Sequence, residues 1–157
     1  MPIMLQLQYI DLIKRCYDLR DSYPETELTA FWGRKGMHAN GDLMVVGRAV
    51  NGWDDLMWNK NELRTPEEIH PRVVTARQSA ESTDKCPMQW VNDCWRCNKI
   101  GSYNTARSPF WRVIRRVALE LGVAKSEEQW PSYIQWTNLY KISPKVTGNP
   151  SNGLCEL

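Results

Sequence analysis

Two short stretches of the chain set hydrogen-bonding and charged side chains directly after apolar runs. In the first, Leu43 to Val46 lead through Gly47 and Arg48 to Asn51, Gly52, Trp53, Asp54 and Asp55. In the second, Tyr133, Ile134 and Trp136 lead to Thr137-Asn138-Leu139-Tyr140-Lys141. A carboxamide presents a donor and an acceptor in one plane, so Asn138 suits either the edge of a flat polar ring or the backbone at a strand end. The Asp54 and Asp55 carboxylates can take a proton from water or stabilise positive charge, and acidic residues after a turn also cap helices. Asn51-Gly52 is first a turn signal. The Trp53 ring is a stacking face or a core anchor. Arg48, Lys141 and Lys145 add cations suited to phosphate.

Cys94-Trp95-Arg96-Cys97, with Cys86 nearby, has the spacing of a metal knuckle. No second such pair exists, and His38 and His70 lie in distant segments, so the cysteines read as unligated thiols. The expectation is therefore no metal. Five cysteines at irregular spacing do not make a disulfide framework and predict a reducing compartment.

The elements that must position these groups are partly readable. Apolar residues at helical spacing predict an amphipathic helix over 4–20. Pro24, Gly33, Gly36 and Asn40-Gly41 predict a loop up to Asp42. Leu43 to Val46 then read as a strand buried on both faces of a parallel sheet. Residues 47–74 show mixed polarity, two prolines and no sustained period, which predicts a long functional loop with one or two helical turns. A helix is capped by Ser108, carries Pro109 in its first turn and stops at Gly122. A second strand runs from Tyr133 to Leu139 and ends near Lys141, and residues 143–153 read as turn chemistry. Trp90, Trp95, Trp111, Trp130 and Trp136 fall within apolar or helical periods and are assigned to packing. Arg112, Arg115 and Arg116 form the solvated side of a helix.

At 157 residues, 42% apolar and 24% charged, the chain predicts one α/β domain spanning 1–157. A net charge of +2 does not by itself mark a nucleic-acid binder. Eight tryptophans against two phenylalanines are unusual and suit a ring-shaped ligand. With no apolar stretch near the roughly 20 residues a membrane helix needs, no membrane partner and a cytoplasmic location are predicted.

LMVVGRAVNGW, SPFWRVIRRVALELG and YIQWTNLYKISPKVTGNPS, in that order, resemble the first half of the uracil-DNA glycosylase superfamily, over roughly residues 42 to 156. The resemblance implies an open parallel sheet with flanking helices and a DNA partner. It also implies hydrolysis of the N-glycosidic bond of a flipped uracil or modified pyrimidine, with no cofactor. Gly47 would open the loop holding the attacking water, Asn51 and Asp54 would serve it, and Asn138 would read the base edge. Gly47, Arg48, Trp53 and Lys141 would complete the substrate contacts. Arg48, Ala49 and Val50 intervene where that first motif has a proline, and the closing His motif would lie beyond Leu157. The fold is thus expected to be C-terminally incomplete, with self-association through an uncovered sheet edge. The other readings are a noncatalytic nucleobase-binding protein and an inactive fragment of a longer glycosylase.

Overall fold

The computed structural model describes residues 3–48, 55–81, 84–95, 103–146 and 149–156. It is mixed α/β, with five helices and two three-stranded sheets among the described residues. The chain divides into two compact units, the first comprising residues 1–32, 47–80 and 138–157 and the second residues 33–46 and 81–137.

The first unit is built on a wholly antiparallel sheet of β4 (Leu56–Asn59), β1 (Glu27–Ala30) and β6 (Ile142–Pro144), in that order. Ala30 lies opposite Leu56 on one side and Ile142 on the other. Side chains alternate along a strand, so Leu28, Ala30, Leu56, Trp58 and Ile142 share one face and join a single buried cluster. Two helices complete that cluster. From α1 (Ile3–Asp18) come Tyr9, Ile10, Ile13 and Cys16; from α2 (Pro66–Ala80) come Ile69, Val73, Ala76 and Ala80. Both sets recur at three- and four-residue spacing, which lays one stripe of each helix on the sheet.

The predicted helix over 4–20 is α1, but the predicted loops around it contain β1, β4, α2 and β6. Each omission has a cause. The strands are three or four residues long, too short for an alternation to be read. Pro144 ends β6, an outer strand of its sheet, where a residue without an N–H is tolerated. The two prolines of 47–74 do not oppose a helix either. Pro66 occupies its first position, and Pro71 removes only the early bond to Glu67. The start is fixed by a capping box: the Glu68 N–H donates to the Thr65 hydroxyl at 3.4 Å, and the Glu68 carboxylate accepts from the Thr65 N–H at 3.4 Å. The signal T-P-E-E was in the sequence.

A short helix, α5 (Asn152–Cys155), closes this unit. Its capping residue, Ser151, is held by Glu25, which accepts from the Ser151 N–H at 2.7 Å and from its hydroxyl at 2.9 Å. Gly153 sits so close to Ser22 that a Cβ would lie 2.4 Å from its carbonyl oxygen.

The second sheet runs in the order β2 (Arg34–Lys35), β5 (Gln135–Asn138), β3 (Met44–Gly47). β2 is antiparallel to β5, with Arg34 opposite Trp136. The Gln135 N–H donates to the Leu43 carbonyl at 2.9 Å and the Leu139 N–H to that of Gly47 at 2.7 Å, so the offset between the strands is constant, the mark of a parallel pair. Among the described residues only this pair runs parallel, where one open parallel sheet was expected. β3 is also not buried on both faces: it ends its sheet, with Met44 61% and Val46 53% exposed.

In the second unit α3 (Gln89–Trp95) and α4 (Pro109–Glu120) pack their tryptophans together. Trp111 and Trp136 stand edge to face at 5.2 Å, Trp90 meets Trp111 at 5.4 Å, and Trp95 meets Trp130 at 5.9 Å. All five packing assignments fit these contacts. Gly122, at φ +68°, ends α4 as predicted. Arg115 pairs with Glu127 at 2.6 Å and Arg116 with Glu120 at 2.8 Å, ordinary ion pairs of a solvated helix side.

Two outcomes are expected. Thr65→Ala should lower stability in urea unfolding by about 1 kcal/mol, the usual cost of a lost cap. Burial pushes the Cys16 thiol from 9.0 up to about 12. Its neutral form is therefore favoured in the folded chain, and the stability this contributes is present below pH 9 and lost as pH rises towards 12. Urea midpoints measured across that range should fall more steeply for the wild type than for Cys16→Ala.

Candidate functional site

The strands β3 and β5 run side by side, so their carboxyl ends deliver Gly47 and Asn138 to the same edge. The contact continues past the strands: beyond the Leu139 bond to Gly47, the Tyr140 N–H donates to the Arg48 carbonyl at 3.0 Å. The two stretches singled out by residue chemistry are thus tied together backbone to backbone. Asn138 is 2% exposed, and its side-chain amide nitrogen has no protein hydrogen-bond partner among the described residues. An unmade buried donor costs about 1–3 kcal/mol, so a group that completes it would be bound with corresponding gain. Around it Arg48 is exposed and Leu139 is 67% exposed.

Lys141 follows on the same loop. Its carbonyl accepts from the Phe31 N–H at 2.9 Å, and its half-buried side chain is pushed towards the neutral amine by desolvation. Phe31 is a junction. The Tyr9 hydroxyl donates to the Phe31 carbonyl, and the neighbouring Trp32 N–H donates to the Asp55 carboxylate at 3.0 Å. Tyr9 and Trp32 stack at 4.5 Å. With Ala30, Leu56, Val73 and Ala76 they line a small niche beside Asp55, with room for one water molecule.

Asn51, Trp53 and Asp54 lie outside the described residues, as does Cys97. Gly47, Arg48, Asn138 and Lys141 are brought together by the β3/β5 pair. Asp55, weighed in the sequence only as a companion of Asp54, proves to be an acceptor for backbone. Sequence reasoning missed Phe31 and Trp32 altogether; the apolar run L-T-A-F-W was their only signal, and the glycines after it had assigned the segment to a loop.

Among the described residues no cluster of three His, Cys, Asp or Glu side chains could hold a metal ion. The Cys86 sulfur accepts from the Met37 N–H at 3.5 Å, and its carbonyl from the Gln89 N–H at the start of α3, whereas Cys94 is in the last turn of that helix. His38 packs on Tyr133 at 5.3 Å, and His70 is exposed on α2. No described helix is long and apolar enough to cross a membrane.

Comparison with protein-family models, with curated proteins and with solved structures returned no match for this chain.

The Asp55 carboxylate can be tested as an acceptor. Asp55→Ala leaves the Trp32 N–H without this acceptor and should cost about 1–3 kcal/mol in chemical unfolding. Asp55→Asn keeps an oxygen in place and should recover most of that loss.

Proposed function

We propose that this chain binds DNA and acts on one extruded pyrimidine in the manner of a uracil-DNA glycosylase, replacing the base at the sugar C1′ with water. The observation that carries the reading is the Asn138 amide nitrogen, buried and without a protein partner among the described residues, on a loop hydrogen-bonded to Gly47 and Arg48 at the carboxyl end of a parallel strand pair. Ligands of open α/β sheets gather at such carboxyl ends. An extruded uracil offers a ring N–H between two carbonyl oxygens, and a carboxamide matches one such donor and acceptor at once. Removing the base from the stack costs a few kcal/mol, which a completed buried donor helps to offset.

In this reading the reaction breaks the C1′–N bond, its electron pair leaves with the base, water forms the new C1′–O bond, and the proton the water gives up ends on the departed base. Asn51 and Asp54 are the proposed water-holding groups and Trp53 the stacking face. Exposed Arg48 and Lys145 meet the phosphates on either side. What supports this reading in the fold is the parallel pair β3 and β5, in a sheet whose third strand, β2, is antiparallel. Thiols at Cys16 and Cys86 outside any disulfide suit a cytoplasmic setting.

The test is a titration against DNA with and without one deaminated cytosine, at several salt concentrations, with base release followed in parallel. Asn138→Ala should erase the preference for the altered base and leave general affinity nearly intact, because base contacts specify and phosphate contacts supply nonspecific affinity. Arg48→Ala should weaken binding to every sequence and reduce the salt slope by about 1. A wild-type protein without preference for the altered base, unchanged by Asn138→Ala, would overturn the reading.

A further inference from the structure

We propose that a second copy of this chain docks on the outer edge of β3, the two β3 strands pairing antiparallel about Val45 into a sheet that runs across both molecules. β3 ends its sheet, with β5 on one side and, among the described residues, no strand on the other. The Leu43 and Gly47 carbonyls accept from β5, and in a parallel ladder every second residue turns both its N–H and its C=O to the same neighbour. Leu43, Val45 and Gly47 therefore face β5, and the backbone groups of Met44 and Val46 point outward. Such a row is a template for another strand, and neither a lysine nor a proline in Met44–Gly47 blunts it.

The side chains select the occupant. Exposure alternates from Asp42 to Arg48: Asp42, Met44, Val46 and Arg48 are exposed, and Leu43, Val45 and Gly47 between them are partly buried. The exposed set reads acid, apolar, apolar, base. Neither charge forms an ion pair among the described residues. Because Met44 and Val46 carry the outward backbone groups, antiparallel pairing of two such edges can centre on Met44, on Val45 or on Val46. Centred on Met44, it sets Asp42 against Val46 of the second copy; centred on Val46, it sets Arg48 against Met44. Centred on Val45, it sets Met44 opposite Val46 and Asp42 opposite Arg48, and two-fold symmetry makes each contact twice. Each Met44–Val46 pair then exchanges both of its N–H···O bonds. Opposite charges facing across strands stabilise a pair and like charges oppose it, so this edge complements itself in one register. The pairing needs no DNA. Its guanidinium is the one proposed above for phosphate, so a DNA strand and a second copy compete for Arg48.

Sedimentation equilibrium of the full chain without DNA tests the pairing. The wild type should pass from monomer to dimer as its concentration rises. Asp42→Arg and Arg48→Asp each set like charges opposite one another at both ends of the interface and should raise the dissociation constant about tenfold. The double variant, with the two charges exchanged, should return it towards the wild-type value, a recovery that damage to the fold cannot give. Val46→Pro removes an N–H that points away from β5; the monomer should keep the wild-type tryptophan emission and lose the dimer. A wild type that stays monomeric, single swaps that dimerise as it does, or a double variant no tighter than the singles overturns the proposal.

Discussion

The hydrogen bond from the Leu139 N–H to the Gly47 carbonyl, and its sequel from Tyr140 to Arg48, fix the part of this chain on which the functional account depends. A parallel ladder has no local turn to set its register. Two segments some ninety residues apart are aligned by backbone bonds and side-chain alternation alone, and a slip of one residue would turn Asn138 to the other face. In the observed register Trp136 and Asn138 face the buried side of β5. The tryptophan anchors the strand, and the same anchoring buries the carboxamide. The unmatched donor of Asn138 is thus a consequence of where the strand must pack. Strain or unmade bonds of this kind survive where the surrounding structure over-determines them, and they collect at functional sites.

Phe31 and Trp32 play the complementary part. They prolong β1 past its last ladder pair, and their two N–H groups and one carbonyl tie together Lys141, Asp55 and Tyr9. Backbone donors buried in this way must find partners, which is why the Asp55 carboxylate and a lysine carbonyl are drawn to the same short strand. The chemistry of Asp55 and Lys141 then diverges. One is held as an acceptor, and the other keeps an amine whose charge is disfavoured.

How much of this was legible in the sequence depended on the length of the repeating pattern. α1 and α4 carry enough turns for an apolar stripe to stand out, and the caps Pro109 and Gly122 bounded the second one correctly. β5 was found because Ile134 and Trp136 alternate ahead of a polar stop. β1, β4 and β6 have three or four residues each, and in so short a run alternation does not differ from chance. α2 was hidden by treating both of its prolines as breakers, although one sits where helices accept it and Thr65-x-x-Glu68 marks the start. Asn138 could be singled out from its neighbours, but its missing partner could not, because that depends on what the fold leaves beside it. The buried sheet predicted at Leu43 to Val46 failed for the opposite reason: an apolar run reads the same whether both of its faces or only one is covered.

The central claim is that the Asn138 amide acquires its partner from an altered base. Its side-chain NH₂ resonances, assigned by comparison of ¹⁵N-labelled wild type with Asn138→Ala, report hydrogen bonding directly. On titration with a single-stranded oligonucleotide carrying one deoxyuridine, the account predicts a downfield shift of one Asn138 amide proton. The same strand with cytosine should leave it where it was, because the amino group of cytosine offers a donor where uracil offers an acceptor. Resonances that move equally with both strands, or with neither, would contradict it.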